Sequence, residues 1–180
     1  MIALDLDGTI IDHGGNSSPY INHALISALA ARGVREVAIC TNQGGLCFCV
    51  LGYSPKNGGA YPSAETFDMR LAIARNALAM HGITCRSVRV CVWHDAANRQ
   101  PEIAAAVKTA ARQVRRKLAA RNSRFRSEVD WTVYTTAAAR MPSPLMLRSV
   151  GATEYWGDSD ENEGAARAAG VPFVRVERFR

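Results

Sequence analysis

Short apolar runs alternate with stretches of helical periodicity along this chain. Residues 1–6 are apolar and free of turn residues until two acids appear, which suits a strand buried on both faces. Ser18-Pro19 is a helix start, with serine as cap and proline in the first turn. The spacing of Ile21, Leu25, Ile26 and Leu29 carries that helix to Gly33. Residues 36–41 predict a second buried strand. A Gly-rich loop is expected over 44–59, of a length that often forms a lid or substrate loop. Ser63 caps a helix to about residue 80, and Gly82 ends it. Val88, Val90 and Val92 alternate in a strand over 87–93. The pattern then predicts a helix over 101–122, a strand over 129–134 and a short helix over 143–151. A strand over 153–157, a helix over 161–169 closed by Gly170, and a strand over 173–176 complete it. Strands alternating with helices predict an α/β fold: right-handed crossovers around a mostly parallel sheet. No repeat or linker divides the 180 residues, so a single domain 1–180 is expected.

Asp5 and Asp7 follow the first apolar run, and Gly8 opens a turn behind them. Side chains alternate along a strand, so both acids should point to one side at its carboxyl end. Ligands bind at that edge of open α/β sheets. Two carboxylates so close repel unless a cation joins them or one is protonated. Mg²⁺ takes oxygen ligands and commonly keeps phosphate oxygens in its shell. Other short polar patches close later strands: Thr41-Asn42-Gln43 after the second, and Gly157-Asp158 with Asp160, Glu161 and Asn162 after the strand at 153–157. Arg140-Met141-Pro142 precedes a helix.

Composition narrows the classes. No apolar stretch approaches the roughly 20 residues of a membrane span, and no basic region precedes an apolar segment at the start. Five cysteines, an odd number placed on or near predicted strands, argue against a disulfide framework and for a reducing cytoplasm. The net charge is +6. Lys108, Arg112, Arg115, Arg116, Lys117, Arg121, Arg124 and Arg126 cluster in the helical segment 101–127 and its exit. Two readings of that run stand: a solvated helix face, or a surface for DNA or RNA ends.

The ordered patches resemble the haloacid dehalogenase (HAD) superfamily over nearly the whole chain. Asp5-Leu6-Asp7-Gly8-Thr9 resembles its first motif, Thr41 its second, and Gly157-Asp158 its fourth. The Thr-Asn-Gln form of the second resembles the branch of polynucleotide 3′-phosphatases, histidinol-phosphate phosphatases and heptose-bisphosphate phosphatases. The resemblance implies a three-layer Rossmann-like fold without a large cap domain and a Mg²⁺-dependent phosphomonoester hydrolase. It implies catalysis by Asp5 as nucleophile, forming an aspartyl-phosphate, and by Asp7 as acid and then base. Metal ligation would fall to Asp5, Asp7 through its carbonyl, and Asp158. Gly8, Thr9, Thr41, Asn42 and Gln43 would hold phosphate. The substrate is expected to be a polynucleotide 3′-end, with a sugar or nucleotide phosphate as the alternative.

Two departures qualify this. The third motif normally carries a lysine that neutralises the nucleophile and the phosphate; Met141 stands there, with neither charge nor a donor. Arg140 turns inward, or a basic residue such as Lys108 arrives from elsewhere, or the protein binds phosphate as a catalytically impaired scaffold. In the fourth motif Asn162 stands where a second Asp is usual, leaving Asp160 or Glu161 to support the metal through water or simply to favour a helix N-terminus. Cys47, Cys49, Cys91 and His94 have unusual spacing for zinc, and buried cysteines are expected instead. His13, His94 and Asp95 are expected in loops with local hydrogen bonds, and Trp93, Trp131, Tyr134 and Trp156 in the core.

Overall fold

The computed structural model describes residues 1–12, 19–55, 60–121 and 129–177. In chain order its strands are β1 (Ile2–Leu4), β2 (Ile11–Asp12), β3 (Tyr20–Ile21), β4 (Glu36–Asn42), β5 (Thr84–Cys91), β6 (Asp130–Tyr134), β7 (Glu154–Gly157) and β8 (Phe173–Arg175). The helices are α1 (His23–Ala31), α2 (Gly45–Val50), α3 (Ala64–Met80), α4 (Ala96–Arg99), α5 (Pro101–Arg121), α6 (Leu145–Ser149) and α7 (Asp160–Ala169). Six strands form one sheet in the order β6-β5-β4-β1-β7-β8, and each neighbouring pair is parallel. This is the expected α/β architecture.

The alternation along each central strand explains the layers. Leu4, Ile39 and Trp156 enter one core cluster, with Phe67, Leu78, Val88 and Leu118. Ala3, Ala38 and Tyr155 enter the opposite cluster, with Met141, Met146 and Ala165. Neighbouring residues thus face different helix layers, as a strand covered on both sides requires. Strand order positions the site. From β1 the chain builds outward through β4, β5 and β6, then returns to add β7 and β8 on the other flank. β1 therefore sits at the topological switch point, the edge where ligands bind in open α/β sheets.

Local signals account for most boundaries. The Ser63 side chain accepts from the Thr66 amide at the start of α3. Ser159 and Asn162 form a reciprocal capping box on α7, and Gly170 closes it in the left-handed conformation at φ 77°. Two expectations are corrected. Helix α1 begins at His23, with Asn22 as its cap, and not at Ser18-Pro19; Tyr20 and Ile21 instead pair antiparallel with Asp12 and Ile11. Ser18 and His13 lie outside the described residues. The stretch 44–59 is not loop throughout: α2 occupies its start, because Leu46 and Cys47 bury against the core while residues 56–59 lie outside the described set. Arg124 and Arg126 also lie outside it. Among the described residues no helix is long and apolar enough to cross a membrane.

Candidate functional site

Asp5 leaves the sheet directly after β1, where its amide still bonds to the Trp156 carbonyl at 2.9 Å. Its carboxylate accepts from the Leu6 amide at 2.8 Å and from the Thr41 hydroxyl, and the residue is only 8% exposed. Burial first, then the charges of Asp7 and Asp158, push the Asp5 carboxyl up to about 8. Residues far apart in sequence are therefore near enough to feel one another. Gly8 shows how near. It turns at φ 74°, and a Cβ there would lie 2.2 Å from Asp158 Oδ2. Only glycine lets the loop after β1 and the loop after β7 close on each other so tightly.

Asp7 is held from both sides. Gln43 Nε2 donates to its Oδ2 at 2.6 Å, and Arg70 Nη2 donates to its Oδ1. Gln43 also donates to Thr41 Oγ at 3.0 Å. A continuous chain of contacts therefore runs Arg70–Asp7–Gln43–Thr41–Asp5. Gln43 and Thr41 are buried and act here as struts between the end of β4 and the loop after β1. Asn42 is a third strut: its side chain accepts from the Met141 amide at 3.2 Å and donates to Glu161 at 3.2 Å. Thr9 is completely buried, with its hydroxyl unpartnered, so it is enclosed and not presented to solvent.

In the segment 140–142, Met141 occupies the position where the resemblance would put a lysine. Met141 is 2% exposed, and its sulfur faces the Tyr155 hydroxyl and the Asn162 amide nitrogen, each at 3.2 Å. The Tyr155 hydroxyl also meets the Cys40 carbonyl and the Asn162 amide. Burial, then the Asp5 charge, keeps this phenol well above its usual range. The place is filled by a neutral, hydrogen-bonded nest. Arg140 does come to the same edge, but its guanidinium bonds to the Trp93 carbonyl at 3.4 Å and stands 3.8 Å from both Asp95 and Glu161. It lies on the rim.

Around that rim, Phe48 stacks on His94 with ring centroids 3.8 Å apart, and Tyr61 meets Phe48 edge-on at 5.4 Å. The His94 ring nitrogen accepts from the Ala96 amide, the local bond expected of it. Asp160 pairs with Arg175 at 2.8 Å and is turned to solvent, so of the two acids in the fourth segment only Glu161 faces the site's rim. Trp156 is core; Trp131 packs half-buried against the same cluster, and Trp93 and Tyr134 pack half-buried against the cluster on the opposite face of the sheet. Cys47 donates to the Val92 carbonyl and Cys91 to the Thr136 carbonyl. Among the described residues no three Cys, His, Asp or Glu side chains group as metal ligands. Asp5 and Asp158 are two carboxylates close enough to feel each other's charge, and the Asp7 carbonyl is the main-chain oxygen that the resemblance would add to them. Such hard donors fit Mg²⁺, and a cation would offset the burial that chiefly raises Asp5 as well as the repulsion from Asp7 and Asp158 that adds to it.

Reasoning from sequence missed Arg70, although a signal exists. Phe67, Leu71, Ala74 and Leu78 form the buried stripe of α3, and Arg70 falls on it. A cation on an apolar helical stripe is a rare placement that asks for a partner. The buried cation that reaches these acids is Arg70, on Asp7; Lys108 is exposed on α5. Comparison of the chain with protein-family models, curated proteins and solved structures finds no match.

Proposed function

We propose that this chain is a phosphomonoester hydrolase of the HAD type that works through an aspartyl-phosphate on Asp5. The observation that supports it is the meeting of Asp5, Asp7 and Asp158 at the switch point, with Gly8 making room for Asp158. Three acids in one crevice suit a cation-dependent reaction at phosphorus far better than a structural role, in which such repulsion only costs stability. A Mg²⁺ ion held by Asp5, Asp158 and the Asp7 carbonyl would keep Asp5 ionised and neutralise charge on the phosphoryl group.

The chain's own residues then have distinct tasks. The Asp5 carboxylate attacks phosphorus as the ester oxygen leaves, and Asp7 gives that oxygen its proton. Asp7, ionised again, takes a proton from water, and the hydroxide attacks phosphorus to release phosphate and restore the Asp5 carboxylate. Thr41 orients Asp5, and Gln43 orients Asp7, so neither acid must be organised when substrate arrives. The exposed basic side chains of α5 favour a polynucleotide end over a small phosphate ester.

Purified protein with Mg²⁺ should hydrolyse a generic aryl phosphate, and Asp5→Asn should remove that activity. A second reading, a phosphate-binding protein without turnover, draws on the buried and neutral Met141. Residual hydrolysis indifferent to Asp5→Asn, together with intact phosphate binding, would favour it.

A further inference from the structure

We propose that Arg70 supplies the positive charge missing at Met141, acting through Asp7 as a positioning residue for the phosphate site. The inference rests on the phosphatase reading and adds a residue to it. Arg70 is 3% exposed and comes from α3, outside every segment that sequence patterns point to. One guanidinium nitrogen bonds to Asp7, while Nε and Nη1 are buried without a partner.

That arrangement is expensive as structure. A buried guanidinium with two unpartnered nitrogens loses more in desolvation than one ion pair returns, and an apolar side chain of similar length would pack the same stripe at lower cost. Its charge is what an apolar residue would lack. A phosphomonoester brings two negative charges to a crevice that already holds Asp5, Asp7 and Asp158. The third-segment position offers no charge, since Met141 sits between Tyr155 and Asn162. Arg140 is held at the rim by Asp95 and Glu161. Arg70 stands directly on Asp7, and Asp7 is tied through Gln43 and Thr41 to Asp5. It offsets one carboxylate and fixes Asp7 against the repulsion of its neighbours.

Two variants separate charge from hydrogen bonding. Arg70→Lys keeps the charge, and Arg70→Gln keeps a donor for Asp7 without it. Binding of inorganic phosphate in Mg²⁺, followed by calorimetry without turnover, should weaken about 10- to 100-fold in Arg70→Gln and within about 3-fold in Arg70→Lys. On an aryl phosphate the Gln variant should lose mainly in KM. Met141→Lys should raise phosphate affinity by a larger factor in Arg70→Gln than in wild type, because both cations would serve one phosphate; equal factors in the two backgrounds would overturn the inference. Equal phosphate affinity in wild type and Arg70→Gln, or equal losses in the Lys and Gln variants, overturns the inference and leaves the phosphatase reading in place. A wild-type protein with neither phosphate binding nor Asp5-dependent turnover overturns both.

Discussion

Replacing Gly8 by alanine separates what the turn needs from what the site needs. At φ 74° an L side chain is strained, which costs about 1–2 kcal/mol. In a chain of this length that loss lowers Tm by roughly 2–8 °C. The second effect is steric. The new methyl would lie 2.2 Å from Asp158 Oδ2 and 2.7 Å from its Cγ. Ordinary contact between such atoms is about 3.5 Å, so the carboxylate must retreat by roughly 1 Å. A displacement of that size in a catalytic constellation costs about 100-fold in rate. Gly33 provides the control: its φ is 76°, yet nothing lies within 4 Å of a Cβ placed there. Gly8→Ala and Gly33→Ala should lose similar Tm in thermal unfolding. Only Gly8→Ala should lose about 100-fold in kcat/KM on an aryl phosphate and need more Mg²⁺ for half-maximal rate. Wild-type turnover and Mg²⁺ dependence in a folded Gly8→Ala, or an equal loss in Gly33→Ala, would refute the placement of Asp158 in the metal site.

Other expectations follow from the same geometry. Met141→Lys places an ammonium beside Tyr155 and Asn162, and should raise phosphate affinity about 10-fold while costing roughly 1–3 kcal/mol for burying a charge; a folded variant with unchanged affinity in calorimetry contradicts the assignment of this position. Asp5, pushed up to about 8 from an ordinary 3.8, binds its proton more tightly folded than unfolded. Metal-free protein should therefore lose stability as pH rises between those values, by an amount on the order of a few kcal/mol. Thermal unfolding in chelator at pH 5 and pH 8 should show wild type losing more than Asp5→Asn, and the opposite ranking would count against the burial of that carboxyl. Replacing Arg115, Arg116 and Lys117 by alanine should weaken turnover of a 3′-phosphorylated oligonucleotide, flatten its salt dependence and spare the aryl phosphate; unchanged oligonucleotide kinetics would remove α5 from substrate recognition.

What the sequence made legible, and what it did not, divides along the range of the forces involved. β4 shows as a continuous apolar run and β5 as an alternation, and Ser63 and Gly170 mark helix ends by local hydrogen bonds. The acids were readable because Asp5 and Asp7 share one turn and Asp158 follows a strand that pairs with β1. The two-residue strands β2 and β3 carry no period to detect, and the six-residue α2 is shorter than two helical turns, so both are fixed by what they pack against. The ties between loops were out of reach for the same reason: Gln43 to Asp7 and Asn42 to Met141 span 36 and 99 residues. Arg70 is the instructive middle case. Its burial is written in the stripe of α3, but its partner lies 63 residues away. A cation absent from the third segment and a cation set into an apolar helix face each look like a local fault. Under the proposal for Arg70 electrostatics joins them, because charge acts across a crevice without regard to which segment supplies it, whereas a motif records only the segment. The position of a lost charge is therefore better sought among buried cations of the surrounding helices than among the neighbours of the residue that replaced it.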